Sequence, residues 1–281
     1  MSQDLPAWVA ELTDPCRATT LDELADRLVP LAEHSIDVSR RLQALLNELN
    51  EPFKREAVYD RVERLKNRAD EAFGEVTREI VTSGQQRLDR VWAAWQDRAP
   101  GERESALRGR LETEVIPALR KQERTIAEEV GERTAVALEV ATQTLLSRVE
   151  ELAVAVTNLI HDVLPLAHEG LGLAGRISGL AGKIRELRDG RLEVPEPLRE
   201  AASATADSYH KTVARLEMEW AMLGSRAAIV RAALRAAEET AFSQVTAEMT
   251  ECVETLAPSH IKVLNEAESR AMALMDEVIA G

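Results

Sequence analysis

The chain repeats one pattern along most of its length: apolar side chains recur at steps of four and three, with charged residues between them. Val58, Val62, Leu65, Ala69, Phe73, Val76 and Ile80 form one such run. This spacing keeps a single face of an α-helix against a neighbouring helix. The register resumes at Leu88, Val91 and Trp95, which predicts a stutter at Gly84. Two further runs follow, one from Leu138 through Leu145, Leu152 and Leu159 to Val163, the other from Val213 through Leu216, Trp220, Leu223 and Val230 to Ala237. No continuous Val/Ile run bounded by turn residues suggests a buried strand. The expected fold is therefore all-α: an elongated antiparallel helical bundle or coiled-coil hairpin with long helices.

Local signals set the expected boundaries. After a short amphipathic opening, Thr20 and Glu23 make a capping box that starts a helix reaching about Asn50, with Pro30 as a kink or break. Pro52 opens a second helix to about Arg98. Residues 99–105, A-P-G-E-R-E-S, read as a loop, and a third helix runs from Ser105 to Leu164 with a kink at Pro117. R-D-G-R-L-E-V-P-E-P breaks the chain again. A fourth helix then runs from Leu198 to Pro258, where Ser259 caps a last one. This divides the chain into N-terminal helices packing on the bundle (1–99), a long hairpin (100–258) with a glycine-rich tip at 165–197, and a C-terminal helix (259–281). The two helices flanking the tip would each be on the order of 80 Å long.

Composition narrows the picture. Hydrophobic residues make up 45% of the chain but aromatic residues only 3%, which suits narrow Ala/Leu seams rather than a bulky aromatic core. A formal charge of −14 and no evident basic face argue against nucleic acid as a partner. Cys16 and Cys252 stand outside any C-x-x-C spacing and read as reduced thiols of a cytoplasmic protein. The first residues lack the basic region of a signal peptide, and the longest apolar stretch, L-A-V-A-V-T-N-L-I at 152–160, is far too short to span a bilayer. The excess of arginine over lysine suits a GC-rich, bacterial gene.

The one stretch that suggests chemistry is G-L-G-L-A-G-R-I-S-G-L-A-G-K-I at 170–184. Gly170, Gly172 and Gly175 fit G-x-G-x-x-G, but a dinucleotide loop follows a strand, and this one follows a helix. The Gly182-Lys183 end fails as a P-loop, because Ile177 stands where the first glycine is needed and Ile184 replaces the Ser or Thr that reaches magnesium. His34, His161, His168, His210 and His260 supply no Glu-x-x-His pair for a di-iron bundle. No Gly-x-Ser-x-Gly elbow is present either. The expectation is a non-enzyme with no cofactor and no metal.

Read as helix, the same stretch has a stripe of Leu173, Ile177, Leu180, Ile184 and Leu187, bordered by Arg176 and Lys183. Gly175 and Gly182 fall behind the stripe, with Gly172 and Gly179 on its flank. Each glycine inside a helix costs up to about 1 kcal/mol relative to alanine, so the segment needs support. Three supports compete: packing on the bundle with the glycines as hinges or close-packing points, docking on another copy or another protein, and a membrane interface with Arg176 and Lys183 reaching head groups. An apolar, glycine-rich element ending a long helical hairpin resembles the tips of helical pore-forming toxins and the paddles of dynamin-like proteins. That likeness covers about thirty residues and matches no family motif. The expected function is a structural or adaptor protein acting through helix–helix contacts, self-associated most simply as a dimer; the alternative is a membrane-active hairpin.

Overall fold

The computed structural model describes residues 15–99, 101, 103–187 and 193–281. The amphipathic opening, the Cys16 side chain and residues 188–192 lie outside the described residues. Five α-helices account for nearly all the rest: α1 (Leu21–Asn50), α2 (Arg55–Arg98), α3 (Glu104–Arg110), α4 (Ile116–Glu186) and α5 (Glu196–Ala280). No strand occurs among the described residues. The all-α bundle of long helices is the observed fold class.

The cap at Thr20 forms as the sequence requires, with the Glu23 N–H donating to the Thr20 hydroxyl at 3.2 Å. The reciprocal half is displaced by one residue. The Glu23 carboxylate accepts from the Thr19 N–H at 2.9 Å and from the Thr19 hydroxyl at 3.0 Å, and it also takes Arg27 at 2.6 Å. These donors, the Thr19 backbone first among them, hold the Glu23 carboxyl down to a pKa of about 2.

Several expected breaks are absent. Pro30, Pro165 and Pro258 all sit inside unbroken helices, on solvent-exposed flanks. There the carbonyl that each proline leaves without a donor can bond to water, and a slight bend does not disturb the core. Ser259 accordingly caps nothing; its hydroxyl donates back to the Leu256 carbonyl at 2.8 Å, and α5 continues through the expected C-terminal helix. Pro52 belongs to a short 3₁₀ turn, Glu51–Phe53, rather than to the start of α2. The third helix does not stop at Leu164 but runs to Glu186, so the glycine-rich segment is the last part of α4 and not a turn.

Pro117 acts differently. Just before it, Leu111–Val115 forms a π turn between α3 and α4. A proline cannot donate to the carbonyl four residues back and crowds it, which a wider turn relieves. The Thr113 hydroxyl bonds the Gly109 and Arg110 carbonyls at 3.0 and 3.2 Å. Because the turn is wider, Leu107, Leu111, Val115 and Leu119, spaced by four throughout, all remain buried.

The chain forms two compact units, Met1–Ala57 with Glu150–Ala233, and Val58–Val149 with Leu234–Gly281. This differs from the expected division at 99 and 258, because α4 and α5 each contribute to both units. The first unit is a three-helix bundle of α1 and the adjoining parts of α4 and α5. Glu48 bonds Arg231 and His34 bonds Tyr209, so α1 runs parallel to α5; Asp26 bonds Arg185 and Ser35 bonds Gly170, so it runs antiparallel to α4. Its core includes Leu24, Leu28, Leu42, Leu173, Ile177, Ile184, Tyr209 and Leu216. Each such leucine or isoleucine contributes about 1.5–3 kcal/mol by leaving water.

The second unit is likewise three-stranded, from α2, the segment from α3 into α4, and the end of α5. Trp95, Leu107, Leu111, Leu264, Leu274 and Met275 close one part of its core. The α2 seam steps Ile80, Gly84, Leu88, Val91, Trp95, which is the stutter expected at Gly84. A Cβ on Gly84 would lie 2.4 Å from Glu123 Oε1, so the glycine there admits a carboxylate, and burial pushes the Glu123 pKa up.

Candidate functional site

The glycine-rich segment lies in the first unit, and its stripe faces inward. Leu173, Ile177 and Ile184 are fully buried, Leu180 packs at the edge of the same core, and only Leu187 is left exposed, at 53%. Arg176 and Lys183 are exposed. The stripe named from sequence as a contact for a partner or membrane is thus covered by α1 and α5 of its own chain. The glycines divide sharply. Gly172, Gly175, Gly179 and Gly182 are exposed, with nothing within 4 Å of where a Cβ would stand. Gly170 alone is a close-packing point: a Cβ there would lie 2.2 Å from Ser39 Oγ and 2.7 Å from Leu216 Cδ1.

Around Gly170 the core turns polar. Ser35 is buried, and its hydroxyl donates to the Gly170 carbonyl at 2.9 Å. The buried Ser39 hydroxyl has no hydrogen-bond partner. Half-buried His34 meets the Tyr209 hydroxyl through Nδ1 at 2.5 Å, while its Nε2 stands 3.9 Å from Glu217 Oε1, beyond hydrogen-bonding range. Tyr209 is only 2% exposed, and burial, reinforced by the Glu217 charge, pushes its phenol up to about 12. His210 lies edge-on to the Tyr209 ring at 5.1 Å. Carboxylate, imidazole and phenol thus stand in sequence, but the gap to Glu217 leaves no continuous relay. The arrangement satisfies polar groups across the bundle, and a polar layer of this kind fixes which residues of packed helices face one another.

The other candidates stay apart. His161 and His168 share an exposed flank of α4, which does continue past Pro165. His260 lies half-buried without a partner, and its pKa is lowered by that burial. Cys252 is a buried free thiol whose pKa is raised by desolvation. Among the described residues, no group of three or more His, Cys, Asp or Glu is placed to hold a metal, and no helix is long and apolar enough to cross a membrane. A shallow groove at Pro258, Ile261, Lys262 and Glu266 takes all its walls from one helix, so nothing stands opposite to enclose a ligand.

What the sequence reading missed lies on the back of α5. Opposite the core seam of Val213, Leu216, Leu223 and Ala227 runs a second set of positions at the same four-three spacing: Ala214, Met218, Ala221, Ser225, Ala228 and Ala232. All are exposed, Met218 at 56%, and none is charged. Met222 and Ile229, the latter 67% exposed, widen the face on one side; Glu217, Gly224 and Arg231 border it on the other. The outward side of a solvated helix ordinarily carries charge. On α4, the exposed pair Val136 and Val140 continues at the same spacing only through Gln143 and Ser147, between charged Arg133 and Glu150. The signal was present in the sequence, masked by the stronger core seam on the same helix.

No family model, curated protein or solved structure matches the chain.

Proposed function

We propose that the protein is a non-enzymatic helical scaffold that works through helix–helix contacts, first of all with another copy of itself. The observation that carries this reading is the uncharged outward face of α5 from Ala214 to Ala232, a second seam with no partner among the described residues. Apolar and small residues at coiled-coil spacing are placed to pack against another helix, and closed symmetric pairs are the commonest way a chain covers such a face. The polar groups of the first unit support the same reading. Ser35 is engaged with Gly170 and His34 with Tyr209, as a structural layer would have them.

A membrane-active hairpin is the weaker alternative, because Leu173, Ile177 and Ile184, the residues it would insert, already support a core. Sedimentation or light scattering of the purified protein tests the scaffold reading. A concentration-dependent dimer is expected, and a monomer throughout the micromolar range would overturn it.

A further inference from the structure

We infer that two copies pair antiparallel through the outward face of α5, with Gly224 of one copy set against Gly224 of the other. The inference rests on the self-association proposed above and specifies its surface and orientation. The face is self-complementary in only one of the arrangements that its spacing allows.

Antiparallel pairing in this register sets Met218 against Ala228 of the second copy, Ser225 against Ala221, and Ala232 against Ala214, so each layer includes at least one small residue. Small side chains repeated along the seam let two helix axes approach to the near end of their usual 8–10 Å spacing. On one border Met222 of each copy meets Met222 of the other. On the other Glu217 meets Arg231, and the two-fold symmetry makes that ion pair twice. Gly224, with nothing within 4 Å of its Cβ position, leaves the space between the two ion pairs open for close approach.

The alternatives lose these pairs. In a parallel dimer Glu217 would face Met222 and Arg231 would face Ala236, leaving charges against apolar neighbours. Sliding the antiparallel pair one heptad toward the C-terminus sets Glu217 against Glu238, and one heptad the other way sets it against Gly224. Beyond the seam Lys211 and Arg235 would meet as like charges, which bounds the contact to residues 214–232. Arg231 already bonds exposed Glu48 at 2.8 Å; its guanidinium has five donors and can serve both carboxylates. A contact about 27 Å long buries on the order of 1,000 Å², the lower limit for a specific interface, so a micromolar dimer is expected.

The test uses the full chain as wild type, as Glu217→Arg, as Arg231→Glu, and as an equimolar mixture of the two variants, with sedimentation equilibrium as the readout. Each variant alone sets like charges together at both sites and should weaken dimerisation at least about tenfold; the mixture restores opposite charges at both sites and should recover it. All of these positions are exposed, and circular dichroism establishes that each variant is folded. Met222→Asp, which sets two carboxylates together on the other border, should also give monomers. If wild type dimerises and the variants do so equally well, or if the mixture stays monomeric, this arrangement is overturned while self-association stands. A wild type that stays monomeric overturns both.

Discussion

Replacing Gly170 by alanine and replacing Gly175 by alanine should change stability in opposite directions, although both glycines lie in one helix within six residues. At Gly175 the space is open, so the substitution should only remove the conformational freedom that glycine adds to the unfolded chain, a gain of about 0.5–1 kcal/mol. At Gly170 the same gain is opposed by a methyl placed 2.2 Å from Ser39 Oγ and 2.7 Å from Leu216 Cδ1. Overfilling a packed core costs about 1–3 kcal/mol, and disturbing the Ser35 bond to the Gly170 carbonyl adds about 1 more. The net expectation is a loss of about 1–3.5 kcal/mol. Ser39→Ala should recover part of it, since that hydroxyl is the nearest obstacle and has no partner to lose. Urea unfolding followed by far-ultraviolet circular dichroism measures all four: Gly175→Ala, Gly170→Ala, Ser39→Ala and the 39/170 double variant. A Gly170→Ala protein as stable as wild type, or a double variant no better than the single, would refute the packing argument.

Other outcomes follow from the same geometry. Tyr209→Phe removes the hydroxyl bonded to His34 and should cost about 1–2 kcal/mol in the same assay. With its phenol held up to about 12, Tyr209 stays protonated in the folded chain where the unfolded chain has lost the proton; stability should therefore fall between pH 10 and about 12, and Tyr209→Phe should flatten that fall. Glu23 has the opposite sign: its contribution is present above its ordinary 4.5 and is lost as pH drops towards about 2, so acid titration of Glu23→Gln should lack that component. Ile177→Asp buries a charge in the first unit and should destabilise by more than about 3 kcal/mol, whereas Arg176→Ala should stay within about 0.5 kcal/mol.

The seams and the Thr20 cap were legible because they depend on spacing and on one local hydrogen bond. Pro30, Pro165 and Pro258 misled for a physical reason: a proline's local cost is fixed, but whether it ends a helix depends on which flank it occupies, and that is decided by packing. The glycine run misled in the same way. Four exposed glycines weaken the end of α4, yet Leu173, Ile177 and Ile184 hold it against two neighbours, and no local rule weighs one against the other. The polar layer could not be read at all, since Ser35 and Gly170 lie 135 residues apart and His34 and Tyr209 lie 175 apart.

The π turn before Pro117 has a consequence for how the sequence tolerates change in length. Removing one residue from a helical seam normally rotates everything beyond it by about 100° and exposes the core. Here the buried residues Leu107, Leu111, Val115 and Leu119 step four, four and four around a turn that already holds one residue too many. Deleting exposed Thr113 would change those steps to four, three and four, the spacing an ordinary α-helix keeps on one face. In the long run of helix from Glu104 to Glu186 this is the place where the chain could lose a residue and keep its core.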